Sequence, residues 1–298
     1  MPLPSFLPAE HGERREFNAL LAGMPLLRRG AMHCMDTALW LPNHRHDHAE
    51  LHYVHRGRLD VDLPGRVPRR LVASGGWFML TAPLRVHRAR DGIMPPVQLL
   101  WVQLDPGRDD TAHGTPFDTA ALIRLRRALR ARYDSAWPAP PAAAEVFRRL
   151  RGLLPAAGDP LVASAVRAAL AELLVLAAQP SGGRPPPPAL DRALAALAAD
   201  PPCTVPAAAR AAGISPGTLH ALYGEHLGAT PAAWQLARRL DRARDRIAAG
   251  EAVADVARTL GFSSPRYFAH AFRREVGIAP SLFAGLRARV CSEPTLAW

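Results

Sequence analysis

The sequence predicts a two-domain α+β protein: an antiparallel β-barrel backed by a helical segment, then an all-α carboxy-terminal domain. Three observations carry this. Between Arg28 and Pro106 the chain is a series of short strand-like runs punctuated by Gly, Pro and Asp; from Pro116 it turns to helical periodicity; and beyond a proline-rich break it contains a degenerate helical repeat. At 298 residues it also exceeds what one hydrophobic core usually fills.

The strand-like runs are LHYV, RLDVDL, WFMLTA and VQLLWVQL, whose alternation and β-branched or aromatic content suit an antiparallel barrel or sandwich. FDTAALIRLRRALRARY, AAAEVFRRLRGLL and PLVASAVRAALAELLVLAA then repeat apolar residues at spacings of three and four. In the last of these, Leu161, Ala165, Ala168, Ala169, Leu173, Val175 and Leu176 fall near one broad face, which either packs on a second copy or covers the barrel. SGGRPPPP can be neither helix nor central strand and acts as a semi-stiff spacer. The expected division is a sensor barrel with an aperiodic arm before Arg28 (1–115), a helical dimerisation or packing segment (116–180), a linker (181–188), a second domain (189–286) and a tail (287–298).

Capping chemistry bounds the helices of the second domain. Thr204, Ser215, Thr230 and Ser264 are placed as N-caps, and Pro216, Pro231 and Pro265 occupy first helical positions, where a missing N–H does no harm. Gly213, Gly228, Gly250, Gly261 and Gly277 follow the helical runs as left-handed closures.

AARAAGISPGTLHALYGEHLGATP, from Ala208, aligns with VARTLGFSSPRYFAHAFRREVGIAP, from Val256. Each copy is a short helix, a glycine turn and a Ser-capped second helix, the pattern of a helix-turn-helix whose second helix enters a DNA major groove. Helical geometry puts Leu219, Leu222, Tyr223 and Leu227 inward in the first copy, and Phe268, Ala271, Phe272 and Val276 in the second. Gly217, Thr218, His220 and Ala221 then face outward, as do Arg266, Tyr267, Ala269, His270, Arg273 and Arg274. An exposed arginine taken alone is usually a solvated face; on this element it is placed to bond guanine in two places.

These residues, with the connecting ARRLDRARDRIAAG, make the region from Ala189 to Gly285 resemble the DNA-binding domain of AraC/XylS-family bacterial transcription regulators. The resemblance implies seven helices and two recognition helices in successive major grooves. It also implies base-facing positions at Gly217, Thr218, His220 and Ala221, and at Pro265, Arg266, Ala269 and His270, with Arg273 one turn further on. Gly217 and Ala221 are smaller than the family usually carries there, so the first unit is expected to clamp the backbone more than read bases.

LPNHRHDHAELHYVHRG concentrates histidines next to Glu50. His44, His46 and Glu50, followed by Gly57 and a distant His87, resemble the metal-binding pattern of cupin barrels, which such regulators commonly carry ahead of their DNA-binding half. The resemblance implies a 3-His-1-carboxylate site for a divalent transition metal. The family's glycine is missing before His44, and Arg85 stands where the second motif usually has one. The same residues otherwise line a metal-free polar pocket, with an effector held there or nearer Trp77, Met79 and Trp101; His48, His52 and His55 are expected to be ordinary strand-face residues.

Composition bounds the function. All 37 basic residues are arginine, and the net charge of +11 draws the protein toward polyanions, although a GC-rich genome alone would enrich arginine. Residues 201–298 hold 12 Arg against 7 acids, which makes them the more basic part per residue. No run is long and uncharged enough to read as a membrane span, and the opening residues lack a secretory-signal pattern, so a cytoplasmic protein is expected. Cys34, Cys203 and Cys291 are far apart and odd in number, which suits reduced thiols.

The reading is a sequence-specific transcription regulator with a small-molecule effector, double-stranded DNA as partner, a homodimeric state, and RNA polymerase as a further partner if it activates. No cofactor is required, and a divalent transition metal is the one candidate occupant of the cupin-like site. The alternatives are a cupin metalloenzyme of dioxygenase or isomerase type, for which no GxSxG, P-loop or Cys/His nucleophile motif adds support, and a nonspecific nucleic-acid binder.

Overall fold

A computed structural model of the chain describes residues 12–105, 115–180, 187–199, 203–227, 229–290 and 296–297. Backbone contacts divide it into one unit of Met1–Gly182 with Pro294–Trp298, and a second of Gly183–Glu293.

The first unit contains strands β1 (Gly12–Glu16), β2 (Leu27–Met35), β3 (Leu39–Trp40), β4 (His44–Arg45), β5 (Ala49–Leu63), β6 (Arg69–Ser74), β7 (Trp77–Thr81), β8 (Arg88–Ala89), β9 (Ile93–Met94), β10 (Val97–Leu104) and β11 (Ser135–Pro138). The main sheet is antiparallel, in the order β1-β2-β10-β5-β7-β11, with β6 and β8 also on β5. A final strand, β12 (Leu296–Ala297), pairs with β4.

LHYV and RLDVDL are one strand, not two. At Gly57, with φ +87, β5 exchanges β10 and β7 for β6 and β8; a Cβ there would lie 2.9 Å from the Pro96 carbonyl oxygen, so only glycine fits the switch. Both faces of β5 are covered on either side of the switch, so its burial is interrupted mainly at residues 55–58. One layer, with Leu51, Tyr53, Phe78, Leu80, Leu100 and Val102, packs on helices α1 (Thr119–Arg130), α2 (Ala142–Leu153) and α3 (Pro160–Ala178). The opposite layer, with Val54, Leu59, Val61, Met79 and Leu99, closes on itself as the barrel interior.

The aperiodic arm needs correction. Residues from Gly12 form β1 along β2, and Phe17, Leu21, Met24 and Leu26 are buried in the core, because their apolar side chains anchor a segment too irregular to show a period. The earlier residues, like linker residues 181–186, lie outside the described set. The helical segment also contains β11, which extends the sheet beside β7; Pro138 is tolerated because this strand is an edge.

The broad face assigned to α3 divides. Ala169, Leu173 and Leu176 are buried against the sheet and neighbouring helices, whereas Leu161, Ala165, Ala168 and Val175 are exposed. Glu172 lies among the exposed residues and pairs with Arg149 of α2. Among the described residues α3 is the one helix long and apolar enough to cross a membrane, and half of that window is buried inside the protein.

The second unit holds seven helices among the described residues: α4 (Pro188–Ala198), α5 (Val205–Ala212), α6 (Pro216–Leu227), α7 (Pro231–Ala248), α8 (Val253–Thr259), α9 (Pro265–Val276) and α10 (Pro280–Val290). α10 runs four residues past the boundary expected at 286. Thr204, Ser215, Thr230 and Ser264 accept from the backbone N–H three residues on, at 3.4, 3.0, 3.2 and 3.1 Å. Gly213, Gly250, Gly261 and Gly277 have positive φ, while Gly228 lies outside the described residues. Cys34 and Cys203 are free thiols; Cys291 is not among the described residues.

Candidate functional site

Two places in the molecule gather chemistry. The first is at the mouth of the barrel. His44, on β4, and His87 face each other as an antiparallel pair, bonded both ways through their backbones at 2.9 and 3.0 Å, so their rings are brought to 4.2 Å. His46 follows two residues after His44, and its ring centroid lies 5.1 Å from that of His87. Glu50 reaches in from the start of β5: its Oε2 is 3.2 Å from His87 Nε2 and 3.5 Å from His46 Nε2. All four side chains are buried, and their ligand atoms lie within 4.8 Å of one another.

Backbone carbonyls orient the rings. His44 Nδ1 meets Pro42 O at 2.9 Å, His46 Nδ1 meets His48 O at 2.7 Å, and His87 Nδ1 meets Arg85 O at 2.8 Å. Each carbonyl can only accept, so each Nδ1 carries a proton and each Nε2 is turned toward Glu50. This is the support that metal-ligating imidazoles characteristically receive, and the buried Nε2 of His46 has no hydrogen-bond partner. Three imidazole nitrogens and a carboxylate fit a divalent transition metal in donor type and in separation.

The electrostatics agree. Burial pushes the Glu50 carboxyl upward, but the neighbouring His52, His46 and His87 rings outweigh it and leave the group well below the usual carboxylate range. Burial also acts on His44, assisted by His87, and lowers it to about 4. At His46 burial is opposed and overcome by Glu50, which raises the ring.

The interior beside this cluster is more polar than an apolar barrel requires. Pairing across β10, β5 and β7 aligns Trp101, His52 and Met79, so His52 stands on the inner face with its Nε2 at 3.8 Å from Glu50 Oε2. It is not an ordinary strand-face residue, unlike His55, which stacks on Phe147 at 4.4 Å on the helix side. Trp101 Nε1 donates to His33 Nε2 at 3.4 Å, and burial lowers His33 to about 4. His33 is not singled out by the sequence, because only the pairing of β2 with β10 and of β10 with β5 brings it to this face, whereas His52, expected as an ordinary strand-face residue, shares Glu50's face simply by lying two residues further along β5. Trp77 and Trp101 both pack against the interior core, with Trp77 two pairs beyond Met79 along the sheet.

The second place is α9. Phe268, Ala271, Phe272 and Val276 are buried, with Phe268, Phe272 and Phe283 in successive ring contact. Pro265, Arg266, Tyr267, His270, Arg273 and Arg274 are exposed on the other side, and Ala269 is half-buried. On α6, Leu219 and Tyr223 are buried, and Gly217, Thr218, His220 and Ala221 are exposed. The Thr218 hydroxyl bonds Ser215 Oγ at 2.8 Å, which leaves it less free to reach outward. Several α7 arginines, by contrast, are held within the unit. Arg239 packs over Phe262 at 4.4 Å, Arg242 donates to Ala198 O at 3.1 Å, and Arg246 pairs with Glu251.

Residues 37–174 match the model of the AraC-like ligand binding domain, and residues 208–285 match that of a helix-turn-helix domain. The chain belongs to the AraC family. It is a DNA-binding transcription regulator with an amino-terminal ligand-binding domain. Among solved structures, this AraC-type regulator is similar to a transcriptional regulator with an AraC-type DNA-binding domain from Chromobacterium violaceum, 27% identical over 35% of this chain and 95% of that one at a TM-score of 0.33. The AraC-like transcriptional activator CuxR is 14% identical over 81% of this chain and 85% of its own, at 0.36. An oxalate decarboxylase from Bacillus subtilis is 17% identical over 33% and 28%, at 0.27. At these TM-scores none of the three bears on activity. No curated protein matches the AraC-type chain.

Proposed function

We propose that α9 carries most of the base reading. Arg266, His270 and Arg273 project into one major groove with Pro265 and Ala269 at the surface between them, while Thr218, His220 and Ala221 of α6 meet the next groove. The observation behind this is the exposed polar face of α9, set on a buried aromatic ridge. Guanidinium groups bond guanine O6 and N7 in pairs, whereas α6 offers one imidazole and one internally bonded hydroxyl.

The barrel is the sensor. His44, His46, Glu50 and His87 would hold a divalent transition metal, which when bound supplies a Lewis-acid anchor for an effector oxygen or nitrogen. Trp77 and Trp101 line the inner face on which that effector rests. The protein acts in the cytoplasm as a homodimer on double-stranded promoter DNA, with RNA polymerase as a further partner if it activates, and the barrel binds its ligand without turning it over. The domain limits follow the same division, a barrel and helical segment to residue 180, a linker, and the DNA-binding half from 189.

The test uses the full-length protein on a duplex it has selected from a random pool and on a scrambled control, with binding followed by fluorescence anisotropy. Arg266→Ala is expected to weaken the selected duplex by roughly 5- to 150-fold and to leave the scrambled one nearly unchanged. Equal loss on both would reduce Arg266 to a phosphate contact.

A further inference from the structure

The loop between β7 and β8 carries His87 and is held at both ends. Near its start, Leu84 N donates to His46 O at 2.8 Å, so the loop is tied directly to a second member of the cluster. Leu84 adopts φ +60 while two-thirds of it is exposed, a left-handed conformation that a leucine keeps only when its surroundings impose it. What imposes it lies outside the barrel mouth. Asp134 Oδ1 accepts from Ala82 N at 3.0 Å, and its Oδ2 lies 3.5 Å from Arg85 Nε. Arg85 in turn supplies the carbonyl that orients His87.

Asp134 is itself fixed. It has φ +54, its carbonyl accepts from Arg69 at 3.0 Å, and it leads directly into β11, which pairs with β7. Two residues earlier, Arg132 lies over the Trp137 ring at 4.6 Å and donates to Gln179 O at 2.7 Å. Gln179 caps α3, two residues before the linker segment. Contacts therefore run from the ring support of His87 to Asp134 and, across the two-residue step of backbone to Arg132, on to the C-cap of α3.

We propose that Asp134 and Arg132 are positioning residues that bind the His87 loop to the end of α3, so that the histidine cluster and the exit toward the DNA-binding half shift together. This rests on the cluster being the sensing site, but the contacts can be tested without any ligand. Coupling between two sites is reciprocal, so loosening either end must loosen the other.

The experiment is amide hydrogen exchange on the full chain, with peptides covering 82–87, 175–179 and, as a control, 142–153. Asp134→Gly removes the carboxylate without penalising the left-handed backbone, and Asp134→Asn keeps an acceptor for Ala82 N. Asp134→Gly is expected to raise exchange about tenfold at both 82–87 and 175–179 and to leave 142–153 unchanged, with Asp134→Asn restoring most of the protection. Arg132→Gln is expected to raise exchange at 82–87 as well as at 175–179. A change confined to the end that was mutated would overturn the coupling, as would no change at 82–87 in Asp134→Gly protein.

Cobalt(II) titration adds the link to the site. Asp134→Gly should weaken cobalt binding about tenfold, because the loop that places His87 is no longer held. A wild-type protein that takes up no cobalt would remove the metal from the sensing reading, while the exchange experiment would still decide the coupling.

Discussion

His33 is a buried imidazole whose state is fixed by its neighbours. Trp101 donates to its Nε2, and burial, aided by Arg14 and His52 against the opposing pull of Glu50, lowers its pKa to about 4. In the unfolded chain the same ring titrates near 6.5. Between these values the unfolded state binds the proton and the folded state does not, so stability falls as pH drops from 6.5 through 4. Replacing His33 with Gln removes that linkage. The wild type should lose about 2 kcal/mol more than His33→Gln between pH 7 and pH 4.5 in urea denaturation, and parallel losses would mean that His33 is protonated in the fold. Such a residue is invisible in sequence. The spacing of His44, His46 and Glu50 is legible because neighbouring strand positions bring them together, and His52 shares Glu50's face two residues along β5, but His33 joins them only through the pairing of β2, β10 and β5.

Elements were more legible where their ends are set by local chemistry than where their faces are set by packing. The four N-caps of the second unit and its left-handed glycines read directly from Ser, Thr, Pro and Gly, because capping is satisfied within three or four residues. β11 and β1 did not read, since their strand character comes from the sheet edges they complete. α3 shows the same limit: it is apolar almost all round, so periodicity could not tell the face covered by the chain's own core from the face left outside. The exposed Leu161, Ala165, Ala168 and Val175 recur at helical spacing, and we propose that they meet the same residues of a second copy. The double change Leu161→Glu with Val175→Glu should turn a dimer into a folded monomer by light scattering, with the helical circular dichroism kept. Leu173→Glu, by contrast, places a charge in the core at a residue 1% exposed and should unfold the protein. A wild type that is already monomeric at micromolar concentration would end the interface reading.

At the scale of the whole molecule, a ligand can alter DNA affinity only if it binds two arrangements of the protein unequally. In the proposed reading a metal and an effector act in the barrel and base reading belongs to the second unit, so one substitution can separate sensing from reading. His46→Ala removes a ligand whose orientation is set by His48 O and whose partner is Glu50. In full-length protein it should abolish tightly bound metal by elemental analysis. Affinity for the selected duplex without metal should stay within about twofold of the wild type, because no residue of α6 or α9 is touched. Adding cobalt should then shift duplex affinity in the wild type and not in the variant. A lower salt-dependence slope in His46→Ala protein would show that phosphate contacts had changed, at about 0.9 per contact, and would place the barrel against the DNA itself. If wild type and variant respond alike to cobalt, the metal acts elsewhere, and the effector site moves deeper along the inner face to His33, Trp101 and Met79, where the buried Nδ1 of His33 has no hydrogen-bond partner.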